Sequence, residues 1–203
     1  QEILEHIPSS RTDEVVYFDP TSPNPLAINL LRMAKGNWHL AASGIVSAFK
    51  KIWGNSWGPR LEYVLYATVA ALIQCQNTSL LGVSRMLNDA RYRTWVVRQI
   101  KDPMVRSFWI NEFEQYDRKF LQEIISPIQN KVGQLFFAPP IRYMLGQVRT
   151  KVNFRFMMDN HRIFIANLSK GTLGETHSSL LGSLLVTGFE IAALSRADIP
   201  PEK

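Results

Sequence analysis

Cysteine is nearly absent from this 203-residue chain, which holds only Cys75. One thiol excludes an internal disulfide, and its apolar neighbours mark it as a small buried hydrophobe, in keeping with a cytoplasmic protein. Long hydrophobic runs are missing as well. The longest wholly apolar stretch, near Val69 to Ile73, falls far short of the about 20 residues of a bilayer span, so no transmembrane helix is expected. The phosphate-binding pattern G-x-x-x-x-G-K-[ST] does not occur. Gly54 to Arg60 and Gly171 to Glu175 imitate it without the Lys-Ser/Thr pair. Nor does an apolar strand end in the Asp-Glu that would hold magnesium, Phe18-Asp19-Pro20 being a superficial likeness. ATP hydrolysis by this chain alone is therefore not expected. His6, His39, His161 and His177 are scattered, with no metal-ligand spacing. Internal repeats and low-complexity tracts are lacking. Asn77-Thr78-Ser79 and Asn167-Leu168-Ser169 match the glycosylation pattern, but nothing else suggests secretion. The chain opens at Gln1, without Met, inside what reads as a helix end, so truncation on that side is expected.

What is present is the composition of a folded protein, with 46% hydrophobic and 20% charged residues and a formal net charge of +6. The positive charge collects in two places. One holds Arg85, Arg91, Arg93, Arg98, Lys101 and Arg106 against Asp89 and Asp102. The other holds Lys131, Arg142, Arg149, Lys151, Arg155 and Arg162 against Asp159. Such stripes can hold a polyanion, and they can equally be solvated helix faces. In the first, Trp95 lies among Arg91, Arg93 and Arg98, so bases could contact a phosphate backbone while the indole stacks on a nucleobase. Trp95 as plain core is the competing reading.

Val15-Val16-Tyr17-Phe18, closed by Asp19-Pro20, reads as a buried strand, and Thr21 to Pro25 as a linker. From Asn37 the period becomes helical. Trp38, Ala41, Ala42, Ile45, Val46, Phe49, Ile52 and Trp53 share a face, and Gly54 ends the helix. Pro59 then opens a helix carrying Leu61, Val64, Leu65, Thr68, Val69, Leu72 and Ile73, expected to be central to the core. Short helices are predicted at Leu80 to Leu87, at Tyr92 to Ile100 and after Pro103. A longer one from Lys119 toward Phe136 should kink or divide at Pro127. Pro139-Pro140 closes the helical region, and a short helix at Ile141 to Leu145 and a polar connector follow.

The end of the chain carries its most informative pattern: an apolar strand at Ile163 to Ala166, a polar glycine-bearing loop, and an amphipathic helix from about Glu175 to Leu194. In α/β ATPases such a loop lies at the carboxyl edge of the sheet, where ligands collect. Ser169, Lys170 and Thr172 form it. Lys170 could contact a nucleotide phosphate or a DNA backbone, or the loop is a simple strand-to-helix turn. A two-stranded sheet is marginal alone, so further strands should lie outside this chain.

Other motifs weigh less. Gly54-Asn55-Ser56-Trp57-Gly58 matches the nucleophile-elbow pattern but follows a helix, which favours an interhelical turn with Trp57 packed beneath it. Glu112 and Glu114 point to different helix faces and read as solvated. No residue qualifies as catalytic, and none as a metal ligand.

Ile7 to Pro20, Lys51-Ile52-Trp53-Gly54-Asn55-Ser56-Trp57-Gly58-Pro59-Arg60, Asn130-Lys131-Val132-Gly133-Gln134 and Asn167-Leu168-Ser169-Lys170-Gly171 together resemble the type IV coupling proteins of conjugation and their HerA/FtsK-class relatives, which are DNA-translocating P-loop ATPases. The order and spacing of these segments carry the likeness, which spans nearly the whole chain. It implies a mostly α chain, an all-alpha lobe inserted between strands of a partial RecA-like α/β sheet, lying between the Walker A and Walker B segments. On that reading 1–25 is a partial motor segment, 26–146 the all-alpha domain and 147–203 the connector, strand and helix re-entering the sheet. The resemblance implies recognition of DNA or a relaxase cargo, and a full-length parent that forms hexamers and uses ATP and magnesium. No cofactor is expected in this chain, nor any membrane contact from it, although a parent anchor could hold the protein at the inner face of the membrane. A stand-alone basic helical protein-binding module is the alternative.

Overall fold

The computed structural model describes residues 2–32 and 36–198. Gln1, 33–35 and 199–203, which fall in the first, second and last expected segments respectively, lie outside the described residues. The fold is mostly helical, 70% helix and 4% strand. A short helix α1 (Glu2–Glu5) and a 3-10 segment lead into β1 (Val15–Phe18). Residues 19–32 are mainly irregular, with a 3-10 turn at Leu30–Arg32; α2 (Trp38–Trp53) and α3 (Pro59–Gln74) come next, followed by α4 (Gly82–Asn88), α5 (Ala90–Val97) and α6 (Pro103–Ser107). A π turn and a 3-10 turn lead to α7 (Arg118–Phe137), then α8 (Pro139–Leu145) and α9 (Phe154–Asp159). The chain closes with β2 (Ile163–Ala166), α10 (Lys170–Leu173) and α11 (Glu175–Leu194).

Local chemistry places most of the helix starts. Asp89, Asp102, Asp117 and Asn153 each stand at an N-cap and accept the amides of Tyr92, Met104 and Val105, Phe120, and Phe156 respectively. Each such cap is worth about 1 kcal/mol. Pro59, Pro103 and Pro139 occupy first-turn positions, where the missing amide costs nothing. Pro139-Pro140 thus opens α8 instead of closing the helical region. The expected division at Pro127 does not occur either, because α7 runs through it as one helix. Ile124 and Ile128, buried on either side of the proline, hold both halves against the same core.

α3 is buried along nearly its whole length and packs against α2, α4, α6 and α7, so it is the central helix that its spacing predicts. α2 lies against both α3 and α11. Its crossing with α11 is very close: a Cβ on Gly44 would stand 2.6 Å from Cγ2 of Thr187, so only glycine fits there. α11 is long and apolar enough to cross a bilayer by length and composition, but half of it is buried in the fold, as a core helix is. The buried residues form one continuous cluster from Phe18 to Ala192.

β1 and β2 pair in parallel, Val15 beside Ile163 through Phe18 beside Ala166, although the helical block separates them in sequence. The inner face, Val16, Phe18, Phe164 and Ala166, joins the core. Phe164 lies 6.0 Å from Phe18, 5.3 Å from Phe189 and 5.9 Å from Phe154 between ring centroids. The outer face carries Val15, Tyr17, Ile163 and Ile165, only half-buried or exposed, so β1 is less enclosed than the sequence suggests. Chain crossings tie the sheet end together. Arg11 Nη2 donates to the His161 carbonyl at 2.8 Å, Arg162 Nη1 to the Asp13 carbonyl at 3.0 Å, and the Asn167 amide to the Phe18 carbonyl at 2.8 Å.

Candidate nucleic-acid interface

The first basic stripe folds into the corner between α4 and α5. Asp89, which ends α4 and caps α5, accepts the Tyr92 amide at 3.0 Å and receives Arg85 Nη2 at 3.4 Å. Those bonds, the Tyr92 amide first, hold its carboxyl below the usual carboxylate range. Arg85 is thereby laid over the Tyr92 ring, 4.0 Å from its centroid, and Tyr92 in turn lies 5.5 Å from Trp95, tilted 34°. The inner edge of Tyr92 reaches the core, its hydroxyl 2.6 Å from where a Cβ on Gly82 would stand. The stack is therefore anchored from below and open above. Trp95 is 42% exposed.

Arg91, Trp95 and Arg98 recur at positions i, i+4 and i+7 of one helical face and all are exposed. Neither arginine makes an ion pair among the described residues. Together with Asn77, Arg85 and Asp89, the residues Arg91, Tyr92 and Trp95 bound an open cavity of about 510 Å³. Asn77 forms its rim in the left-handed region, with φ of 56°. Lys101 is exposed just past this face, where Gln74 Oε1 accepts its backbone amide at 3.0 Å.

Arg93 does not belong to this face. Its side chain is 12% exposed, with Nε 2.9 Å from Glu114 Oε1, Nη1 donating to the Met86 carbonyl at 2.9 Å, and the guanidinium 5.0 Å from the Phe113 ring centroid. Two residues from Arg91 on a helix is the opposite side, and the cation there is spent within the fold. Half of the second stripe is likewise bonded within the fold. Arg142 donates to the Phe136 carbonyl, Arg155 to that of Ser195, and Arg162 to that of Asp13.

The loop after β2 also satisfies itself. Lys170 to Leu173 form the short helix α10 instead of an open loop; the Ser169 carbonyl accepts the Thr172 hydroxyl at 3.1 Å and the Leu173 amide at 3.0 Å. Gly174, at φ of 77°, turns the chain into α11. Lys170 Nζ lies 2.9 Å from Glu175 Oε1, which lowers the Glu175 pKa through that bond. Beside it, Asp19 follows β1 and accepts the amide and hydroxyl of Thr21 and the Asn167 side chain, its pKa lowered chiefly by the Thr21 hydroxyl. Ser169, Lys170 and Thr172 are thus together at the carboxyl edge, as the sequence predicts, but the Lys170 ammonium is held by Glu175 and the Thr172 hydroxyl by the Ser169 carbonyl.

The remaining motifs resolve simply. Gly54–Ser56 is a 3-10 turn after α2, in which Ser56 Oγ donates to the Trp53 carbonyl at 3.2 Å and Trp57 Nε1 to Glu62 at 2.9 Å. Among the described residues no group of His, Cys, Asp or Glu is placed to hold a metal. Cys75 is buried, donates to the Val96 carbonyl at 3.2 Å, and has its thiol pushed up to about 12 by burial. Glu112 is not a solvated carboxylate, since it accepts the Tyr63 hydroxyl at 2.9 Å and that of Tyr116. An open cavity of about 540 Å³ beside α2 and α3, lined by Trp57, Tyr63 and Tyr66, has no sequence signal, because its aromatics come from two elements whose crossing only the fold reveals. No family model, curated protein or solved structure matches this chain.

Proposed function

We propose that this chain is a DNA- and/or relaxase-cargo-recognition lobe, with part of a motor sheet attached, of a conjugative DNA-translocating ATPase, and that it is not itself catalytic. The observation that carries the reading is the α4–α5 corner, where Arg91 and Arg98 stand exposed, without carboxylate partners among the described residues, beside the open Arg85–Tyr92–Trp95 stack. Guanidinium groups left unpaired in solvent are free to take phosphate oxygens in their two-pronged geometry. An exposed indole braced by a second ring offers a base a stacking surface.

The sheet supports the motor part of the reading. Parallel sheets bury both faces in α/β folds, and a two-stranded sheet is marginal by itself. The outward apolar face of Val15, Tyr17, Ile163 and Ile165 suits further strands and a covering element from a larger parent, in which ATP, magnesium, a hexameric ring and a relaxase cargo would have their places.

A stand-alone protein-binding module is the second reading, favoured by the aromatic cavity of Trp57, Tyr63 and Tyr66. Salt separates the two. Each phosphate neutralised contributes about 0.9 to the log–log salt slope on duplex DNA and about 0.7 on single strands. Titration of a fluorescent oligonucleotide at several salt concentrations is expected to give a slope steeper than about −2. A slope shallower than about −1, or no binding, contradicts DNA recognition by this lobe.

A further inference from the structure

Among the described residues Arg32 is a cation without a counter-charge. It lies in the 3-10 segment before α2 and is half-buried; its Nη2 donates to two neutral acceptors, the Cys75 carbonyl and Thr78 Oγ1, the latter at 2.7 Å. Its Nε is buried and has no acceptor among the described residues. No carboxylate pairs with it among the described residues. Burial accordingly lowers its pKa from the ordinary arginine value. A guanidinium withdrawn from water without an anion is costly, and such a group persists where something else supplies the charge.

Arg32 also lines a cavity of about 650 Å³ with Thr150, Lys151, Arg155, Phe156 and Asp159. Asp159 is the sole carboxylate among the described lining residues, and it is already held, 3.5 Å from Arg155 Nε and 3.2 Å from Arg196 Nε. It leaves nothing for Arg32. Lys151 is exposed at the same cavity and its ammonium makes no ion pair among the described residues, while its backbone amide is fixed to the Ala27 carbonyl at 3.0 Å. Phe156 is 51% exposed and adds an apolar wall.

We propose that this cavity is an anion site that takes the phosphate group of a small phosphate monoester, held between the Arg32 guanidinium and the Lys151 ammonium. The oxyanion supplies the charge that no carboxylate among the described residues gives Arg32. Arginine and lysine supply, respectively, the planar fork and the point charge that phosphate accepts. The cavity falls within the size range of small-molecule sites and exceeds a bare phosphate, leaving room for an organic substituent against Phe156. This site stands apart from the α4–α5 corner and does not depend on it.

The test is calorimetric titration of the whole chain with inorganic phosphate and with phenyl phosphate, at constant ionic strength, with chloride as the control. Saturable binding is expected for both, tighter for phenyl phosphate. Lys151→Glu should weaken it by roughly tenfold or more, and Arg32→Lys, which keeps the charge but loses the fork, by roughly tenfold. Lys119→Ala, at an exposed lysine outside this cavity, should leave it unchanged. Absence of saturable binding at millimolar phosphate, or equal binding by wild type and Lys151→Glu, overturns the proposal. So does binding of an oligonucleotide but not phosphate through Arg32 and Lys151, which would make the cavity a backbone contact. Lys151 is a surface residue, so its variant decides the question even if Arg32→Lys fails to fold.

Discussion

At the α4–α5 corner Arg91 and Arg98 stand in solvent without an ion pair among the described residues, whereas at the β2–α11 junction Lys170 lies 2.9 Å from Glu175 and the hydroxyl of Thr172 turns back onto Ser169. Both regions carry basic and hydroxyl side chains near a helix start, and by composition either could hold a phosphate. What separates them is what each group already binds. A cation whose partner is an adjacent carboxylate must break that pair before it meets a ligand, although such exposed pairs are worth less than about 1 kcal/mol. A cation exposed beside an aromatic stack, with no ion pair to break among the described residues, is ready as it stands, the nearby Asp89 being taken up by the Tyr92 amide and Arg85.

The comparison breaks most severely under charge reversal. Arg91→Glu combined with Arg98→Glu is expected to weaken oligonucleotide binding by roughly a hundredfold or more at low salt, measured by fluorescence anisotropy, since two attractive contacts become repulsive. Arg93→Ala should divide the stripe differently. It should cost roughly 1–3 kcal/mol of folding stability in urea titration, because Glu114 and the Met86 carbonyl lose a buried partner, yet change affinity less than twofold. Trp95→Ala should lower affinity for single strands by roughly tenfold, with quenching of tryptophan emission on binding confined to proteins that retain Trp95. Lys170→Ala is expected to alter stability by less than about 0.5 kcal/mol and affinity by less than twofold.

The smallest effect concerns the clasp beside Lys170. The folded state holds Asp19 at a lowered pKa, chiefly through the Thr21 hydroxyl, so its contribution to stability is present above its ordinary value of 3.8 and is lost as pH falls through the folded value. Asp19→Ala should therefore lose less stability than the wild type between pH 5 and pH 3, as followed by thermal melts at about these values. An identical acid limb in the two proteins would remove Asp19 from the account.

Much of this architecture is legible in the sequence. The bounds of β2 and α11, the central place of α3 and the helical span of α2 follow from apolar period and from Gly54, Pro59 and Gly174. The misreadings have physical causes. Pro127 removes a donor, but Ile124 and Ile128 bury the helix on both sides of it, and tertiary packing outweighs the local cost. α9 is too short to establish a period, and Asn153 is the main sign of its start. The inward turn of Arg93 was readable in principle, since Arg91, Trp95 and Arg98 share a helical face that position 93 cannot join. The Glu112 network and the Arg32 cavity were not, because their partners lie far apart in sequence and meet only once the helices pack.

The central claim, that available charge and not basic composition marks the nucleic-acid surface, is tested most directly by the salt dependence of oligonucleotide binding in Arg91→Ala beside Lys170→Ala. The account predicts a log–log slope shallower by about 0.7 on single strands for Arg91→Ala and unchanged for Lys170→Ala. Equal slopes in both variants and the wild type, or a change in Lys170→Ala alone, would contradict it.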